Sequence, residues 1–365
     1  METTYDLPLI DGHLHIEALG GIANVAKILD ICELSGLGLM AVPFWGDENV
    51  PQNVLVLLAK AMHPEKVFAF GGLRHPRSGD VVDPLSYEEQ ARRLIRAGCD
   101  GIKMAEGKPN VRKGLAEALD AESYRPFYRY LEAEGIPLML HVADPVTNWD
   151  PAEATEELIN VGWFYGDGTF PSKEQIHRET EHVLDEFPGL QVTLAHFYFH
   201  STMLDRLAGL LEQHPGMRID ITPGHEMYYN FDKQYDAARA FFQRFHERIL
   251  FGTDNSTGRS SPDTRRMESA RDRIEGMRRY LARDDTVDCL EGARLRGLGL
   301  GVEALGDIYT ENFRRWAGQK PKPVDIPLVV EECRRLAGLS EDAGADEEIL
   351  SALRQIERRL ESLSG

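Results

Sequence analysis

Eight short apolar runs recur along the chain, and the stretches between them repeat apolar residues at the three-and-four spacing of a helix. The runs are Leu7 to His13, Gly38 to Pro43, Lys66 to Gly72, Asp100 to Met104, Ile136 to His141, Leu190 to His196, Met217 to Thr222 and Arg248 to Thr253. Runs this short and this continuously apolar predict strands buried on both faces, the mark of a parallel sheet covered by helices. Helical patterns cover Ile22 to Ser35, Pro51 to Met62, Tyr87 to Ala97, Ala121 to Glu134, Ser172 to Phe187, Thr202 to Gln213, Ala237 to His246 and Glu268 to Ala282. Ser172 stands where a cap would accept from the first helical turn, and Gly135 where a left-handed residue would end a helix. Eight strands with helices between them predict an α/β fold, a closed (β/α)8 TIM barrel.

Two connections break the rhythm. Val142 to Pro171 is rich in Asp, Gly, Pro and aromatics, Trp149, Trp163, Phe164 and Tyr165 among them. Asn255 to Pro262 is polar and small. Both leave from strand ends, where such a barrel builds its active site, and long loops there serve as lids or binding loops. Beyond Ala317 the pattern changes. Pro321 and Pro323 read as a linker, followed by helices over Val324 to Leu336 and Glu347 to Leu363. In the last helix Ile349, Leu350, Leu353, Ile356, Leu360 and Leu363 form an apolar stripe. The division expected is a barrel domain, 1–317, and a helical extension, 318–365, that either covers the barrel or makes a homodimer contact.

Composition narrows the partners. With 60 Asp and Glu against 41 Lys and Arg, the net charge of −19 repels phosphate backbones and anionic lipid, so neither nucleic acid nor membrane is an expected partner. No basic segment leads into an apolar one at the amino terminus, and no apolar run reaches the roughly 18 residues of a membrane span. Cys32, Cys99, Cys289 and Cys333 are far apart and form no C-x-x-C pair. They read as buried thiols of a reducing compartment, and the expected location is cytoplasmic.

The candidate chemistry lies at the strand ends. His13 and His15 close the first run, and residues two apart on a strand share a face. Chance alone supplies roughly 0.4 such pairs in a chain with 12 His, so the pair needs support. That support comes from His141 ending the fifth run, His196 the sixth and Asp254 the eighth, with Lys103 at the equivalent place on the fourth. Strand carboxyl ends of a barrel face one cavity, so these side chains would meet there. Two or three His with one carboxylate suit a divalent metal, Zn first, with Mn, Fe or Co able to use the same set. Such an ion lowers the pKa of its water to about 7. Asp254 could both ligate the ion and accept a proton, and His196 could be a ligand or the general acid/base.

These residues in this order resemble the amidohydrolase superfamily, most closely its amidohydrolase-related (amidohydrolase 2) branch. The resemblance rests on Asp11-Gly12-His13-Leu14-His15, on His141 in Leu140-His141-Val142-Ala143-Asp144-Pro145, and on Leu194-Ala195-His196. Phe251-Gly252-Thr253-Asp254 and Ile308-Tyr309-Thr310-Glu311-Asn312-Phe313 complete it. It implies a metal on His13, His15, His141 and Asp254, with His196 as acid/base or added ligand. One ion is the favoured reading. Two would bind if Lys103 were carboxylated to bridge them, with His141 and His196 on the second.

Substrate contacts are expected from Arg74, Glu106, Trp149, His225 and Arg259, which all follow strand ends. Arginine there suits a carboxylate or phosphate, and an ion pair with the protein's own acids is the alternative. Glu17 could approach the metal or lie in a surface loop. The expected activity is hydrolysis of an amide, ester or lactone of a small anionic molecule by activated water. The alternatives are a lyase that decarboxylates or hydrates an unsaturated carboxylic acid, and a barrel that only binds.

Overall fold

The computed structural model describes residues 7–44, 46–75, 81–224, 226–290 and 292–363. Eight strands follow the eight runs: β1 (Ile10–His15), β2 (Gly36–Met40), β3 (Val67–Gly72), β4 (Gly101–Gly107), β5 (Leu138–Val142), β6 (Val192–Leu194), β7 (Met217–Asp220) and β8 (Ile249–Leu250). Each pairs in parallel with its neighbour in sequence, and β9 (Asn255–Ser256) pairs in parallel with β1. β8 and β9 are two pieces of one chain segment, so the ring closes. Backbone bonds from Gly12 N to Phe251 O (2.9 Å) and from Asp254 N to His13 O (2.8 Å) stitch the seam.

The predicted helices surround the ring, with ends that local chemistry sets. Tyr87–Ala97 is bounded by a capping box between Ser86 and Glu89 and by Gly98 in the left-handed conformation. Lys173–Glu186 is capped by Ser172, and the last barrel helix starts at Thr264, earlier than expected, because Asp263 accepts from Arg266 N. Val142 to Pro171 is not a plain loop, for it carries short helices at Val146–Trp149, Pro151–Glu153 and Glu156–Asn160. A small antiparallel hairpin of β10 (Thr286–Asp288) and β11 (Arg294–Arg296), absent from the sequence reading, follows the Thr264–Ala282 helix. All four cysteines are buried and free.

Inside the ring one end is filled and the other open to chemistry. Ile10, Met40, Phe68, Phe70, Met139 and Leu250 pack there, closed by Phe313 and Trp316 from the Asn312–Ala317 helix. Simple alternation along β1 would then turn Leu14 inward with Ile10 and Gly12. A bulge changes that. Three residues advance on β1, from Asp11 to Leu14, while two advance on β2, from Leu37 to Leu39. The extra residue flips the phase, so Leu14 joins the outer core while His13 and His15 face the cavity. At Gly252 on the seam, a Cβ would lie 2.8 Å from both His13 Cβ and Thr222 Cγ2, a closeness that glycine alone permits.

Candidate metal centre

Three donors converge at the strand ends. His13 Nε2 lies 3.2 Å from His15 Nε2, Asp254 Oδ1 lies 3.2 Å from His15 Nε2, and it lies 3.6 Å from His13 Nε2. Ligands about 2.0–2.1 Å from a tetrahedral ion are separated by about 3.3–3.4 Å, so the set fits such an ion. The donor types also fit, two imidazoles and a carboxylate. His13 is fully buried and the Asp254 side chain is 35% exposed, so the group opens to solvent on the Asp254 side. Lys103 Nζ, on β4, sits 2.9 Å from His13 Nε2. Burial pushes this lysine down to about 8, against the pull of Asp254 and Asp220. Burial would raise Asp254, but the bond from His15 and the imidazoles of His196 and His13 hold it well below the usual carboxylate range.

A second tier fixes these side chains. His13 Nδ1 is 2.8 Å from Asp220 Oδ2, at the end of β7, and His196 Nδ1 is 3.1 Å from Thr222 Oγ1. His196 Nε2 lies 3.9 Å from Asp254 Oδ2, which brings His196 to the edge of the group. His141 is placed differently. Its ring centroid is 4.8 Å from that of His196, but its Nε2 donates to Ala143 O at 2.9 Å and faces Asp144 Oδ1 at 3.2 Å. Asp144 also takes both Lys108 Nζ bonds, at 2.8 and 2.9 Å, and the Tyr165 hydroxyl. One carboxylate thus ties β4, β5 and the Val142 to Pro171 segment together.

The backbone is strained where these groups emerge. His196, Phe197, Tyr198 and Phe199 all have positive φ, between 49° and 57°, and form a left-handed turn without glycine. Ala143 (62°) and Asp254 (55°) share that conformation. Each such residue costs on the order of 1–2 kcal/mol, and strain of this kind gathers at functional sites. It turns the imidazole of His196 and the carboxylate of Asp254 from the strand direction into the cavity.

A family model for amidohydrolases matches residues 70–301, well over half of the chain. The chain belongs to the amidohydrolase 2 family. Metal dependence is a property of that family, in keeping with the convergent donors of this amidohydrolase. An uncharacterized TIM-barrel protein from Bordetella bronchiseptica is 14% identical, with a TM-score of 0.53 over 85% of this chain and 98% of its own. The apo form of IDCase from Metarhizium anisopliae is 13% identical, with a TM-score of 0.51 over 87% of this chain and 98% of its own. Such identities carry the barrel and not the reaction. No curated protein matches the chain. Among the described residues no helix is long and apolar enough to cross a membrane.

The expected substrate residues have other partners. Arg74 is buried and donates to Pro43 O at 2.8 Å and to Val81 O. Glu106 lies within a bulge on β4 and pairs with His75 Nε2 at 2.7 Å. Trp149 donates to Pro171 O at 3.1 Å and packs on Tyr165, inside the segment it was expected to serve. Arg259 is exposed, 4.0 Å from Glu17 and from Glu48. Glu17 accepts from Ser256 and pairs with Arg266 at 3.6 Å, so it braces the loop after β9. His225 lies outside the described residues. Asp220, Thr222 and Asp144 were not singled out from sequence. An aspartate inside an apolar run, as in Met217 to Thr222, is the signal that could have found the first, because a buried acid needs partners.

Proposed function

We propose that this amidohydrolase hydrolyses an amide, ester or lactone of a small anionic molecule, using one divalent ion, zinc first among the candidates, on His13, His15 and Asp254. The observation that carries this is the convergence of those three donors beside His196. When bound, the ion supplies Lewis acidity, polarising a carbonyl and making water a stronger acid. His196, neutral because burial keeps its imidazole low, takes the proton of the attacking water on Nε2 and returns it to the leaving group. Asp254 orients that exchange at 3.9 Å from Nε2. A cavity of about 210 Å³ borders Asp254, with Pro223, Gly224, Tyr228, Tyr229 and Arg273 among its walls. That volume suits a small ligand, and the Arg273 guanidinium, which donates to Thr253 O at 3.1 Å, supports an anionic group on it.

The experiment has two arms. Elemental analysis of zinc-loaded protein is expected to give one ion per chain, lost in His13→Ala and kept in His141→Ala, whose Nε2 is held by Ala143 O. Two ions per chain, lost together in Lys103→Ala, would favour the bridged pair instead. Loaded enzyme is then assayed on amides, esters and lactones with and without a carboxylate, where hydrolysis that fails in His196→Asn is expected. Carbon dioxide release or hydration of unsaturated carboxylic acids, without hydrolysis, would replace the hydrolase with a lyase.

A further inference from the structure

We propose that Asp220 is a positioning residue that locks two imidazoles at once, so that His13 and His196 both present an unprotonated Nε2 to the cavity. Asp220 is fully buried, and its carboxylate has four donors around it. Oδ2 faces His13 Nδ1 at 2.8 Å; Oδ1 accepts from His196 N at 2.7 Å, from Thr222 N at 3.1 Å and from the Thr222 hydroxyl. Two backbone N–H groups and a hydroxyl converge on Oδ1 and an imidazole faces Oδ2, the donor set of a carboxylate that only accepts.

His13 Nδ1 must therefore carry the hydrogen, which leaves Nε2 bare. Lys103 gives independent support, because an ammonium only donates and its Nζ lies 2.9 Å from His13 Nε2. The second imidazole follows through Thr222. A hydroxyl has one hydrogen, and the close approach of Thr222 Oγ1 to Asp220 Oδ1 requires that hydrogen between them, since two bare oxygens would repel. Thr222 Oγ1 can then only accept from His196 Nδ1, 3.1 Å away. His196 carries its hydrogen on Nδ1 and turns a bare Nε2 toward Asp254. One carboxylate on β7 so sets the tautomer of a residue on β1 and of another after β6. A carboxylate behind an imidazole ligand also raises the ligand's basicity, an effect usually worth 10–100-fold in metal affinity.

The use of those bare nitrogens rests on the metal-site reading above, but the tautomers belong to the metal-free chain and are measured there. Metal-free protein labelled with 15N in its imidazoles is studied by long-range 1H–15N correlation, with His13→Gln and His196→Gln assigning the signals. Both residues are expected as Nδ1–H tautomers in the unsubstituted protein. Thr222→Val, which keeps shape and removes the hydroxyl, is expected to move His196 toward the Nε2–H form while His13 stays unchanged. Asp220→Asn is expected to free both and to weaken zinc binding, read by chelator competition, by 10–100-fold. An Nε2–H form of either residue in the unsubstituted protein overturns the proposal, as does an unaltered His196 in folded Thr222→Val. Expected tautomers in a chain that binds no zinc would leave the lock standing and remove the metal-site reading.

Discussion

Arg74 shows how one side chain can look functional in sequence and be structural in place. It follows β3, where an arginine could meet a substrate carboxylate, yet its guanidinium lies under the surface on two backbone carbonyls, Pro43 O and Val81 O. Gln90 grips the same residue from the other side, accepting from Arg74 N at 2.8 Å and donating to Arg74 O at 3.0 Å. A buried carbonyl that loses its donor carries a desolvation penalty of about 1–3 kcal/mol. Arg74→Met keeps the stem and removes the donors, so urea unfolding should show a stability loss of about that size while KM stays unchanged. A tenfold rise in KM with the urea midpoint unmoved would return Arg74 to the substrate.

At the scale of elements, the carboxy-terminal extension is part of the barrel's cover. Ile326–Asp342 and Glu347–Leu363 pack on one another and on the Gln52–Met62 helix, whose residues 52–60 are all buried. The apolar stripe expected either to cover the barrel or to join two copies is buried within this chain at Ile349, Leu350, Leu353, Ile356 and Leu360. The linker before it is tied down too. Lys322 N donates to Asp100 Oδ1 at 2.8 Å, and Asp100 pairs with Lys60 at 2.6 Å in full burial. Leu353→Ala, at a position with no exposure, should therefore cost about 2–5 kcal/mol of the whole protein's stability and lower the single transition seen by calorimetry. A separate early transition, with the main one unmoved, would make the extension an independent unit. The sequence showed these helices and all eight strands because each carries its own period of apolar residues. It did not show the bulges on β1 and β4, the left-handed turn at His196 to Phe199 or the hairpin at Thr286 to Arg296. Those depend on register with neighbouring strands and on strain held by distant packing, which no local pattern encodes. The same limit explains the site. His13, His15 and Asp254 were legible as strand-end donors, whereas the turning of His141 toward Ala143 and Asp144 is decided by backbone after the strand.

For the whole molecule, the buried imidazoles decide how stability responds to acid. Burial pushes His13 and His200 down to about 4, His196 to about 3 and His177 lower still. Among the described residues both ring nitrogens of His177 and Nε2 of His200 are buried without a hydrogen-bond partner, and the bond of His200 Nδ1 to Tyr198 O at 2.8 Å does not offset the burial. In the unfolded chain each imidazole takes a proton near pH 6.5. The unfolded state then binds more protons than the native one from about pH 6.5 down toward 4, and stability falls as pH falls through that window. Two acids work the other way. Burial raises Asp11 to about 7 and raises Asp100, so the folded state holds protons there that the unfolded chain has released, but the imidazoles outnumber them. Each uncompensated proton costs about 1.4 kcal/mol per pH unit. The carboxylates held low, Asp144, Asp220 and Asp254, add their own loss only below their unfolded value near 4, as they protonate. Urea midpoints of the metal-free protein should thus change little between about pH 7 and 8, below the range where buried Lys103 and Lys173 release their protons, begin to fall near 6.5 and drop steadily to 4.5. A midpoint that stays level down to 4.5 would mean that these imidazoles find water or a counter-charge on protonation, and the steep loss would then begin only with the carboxylates.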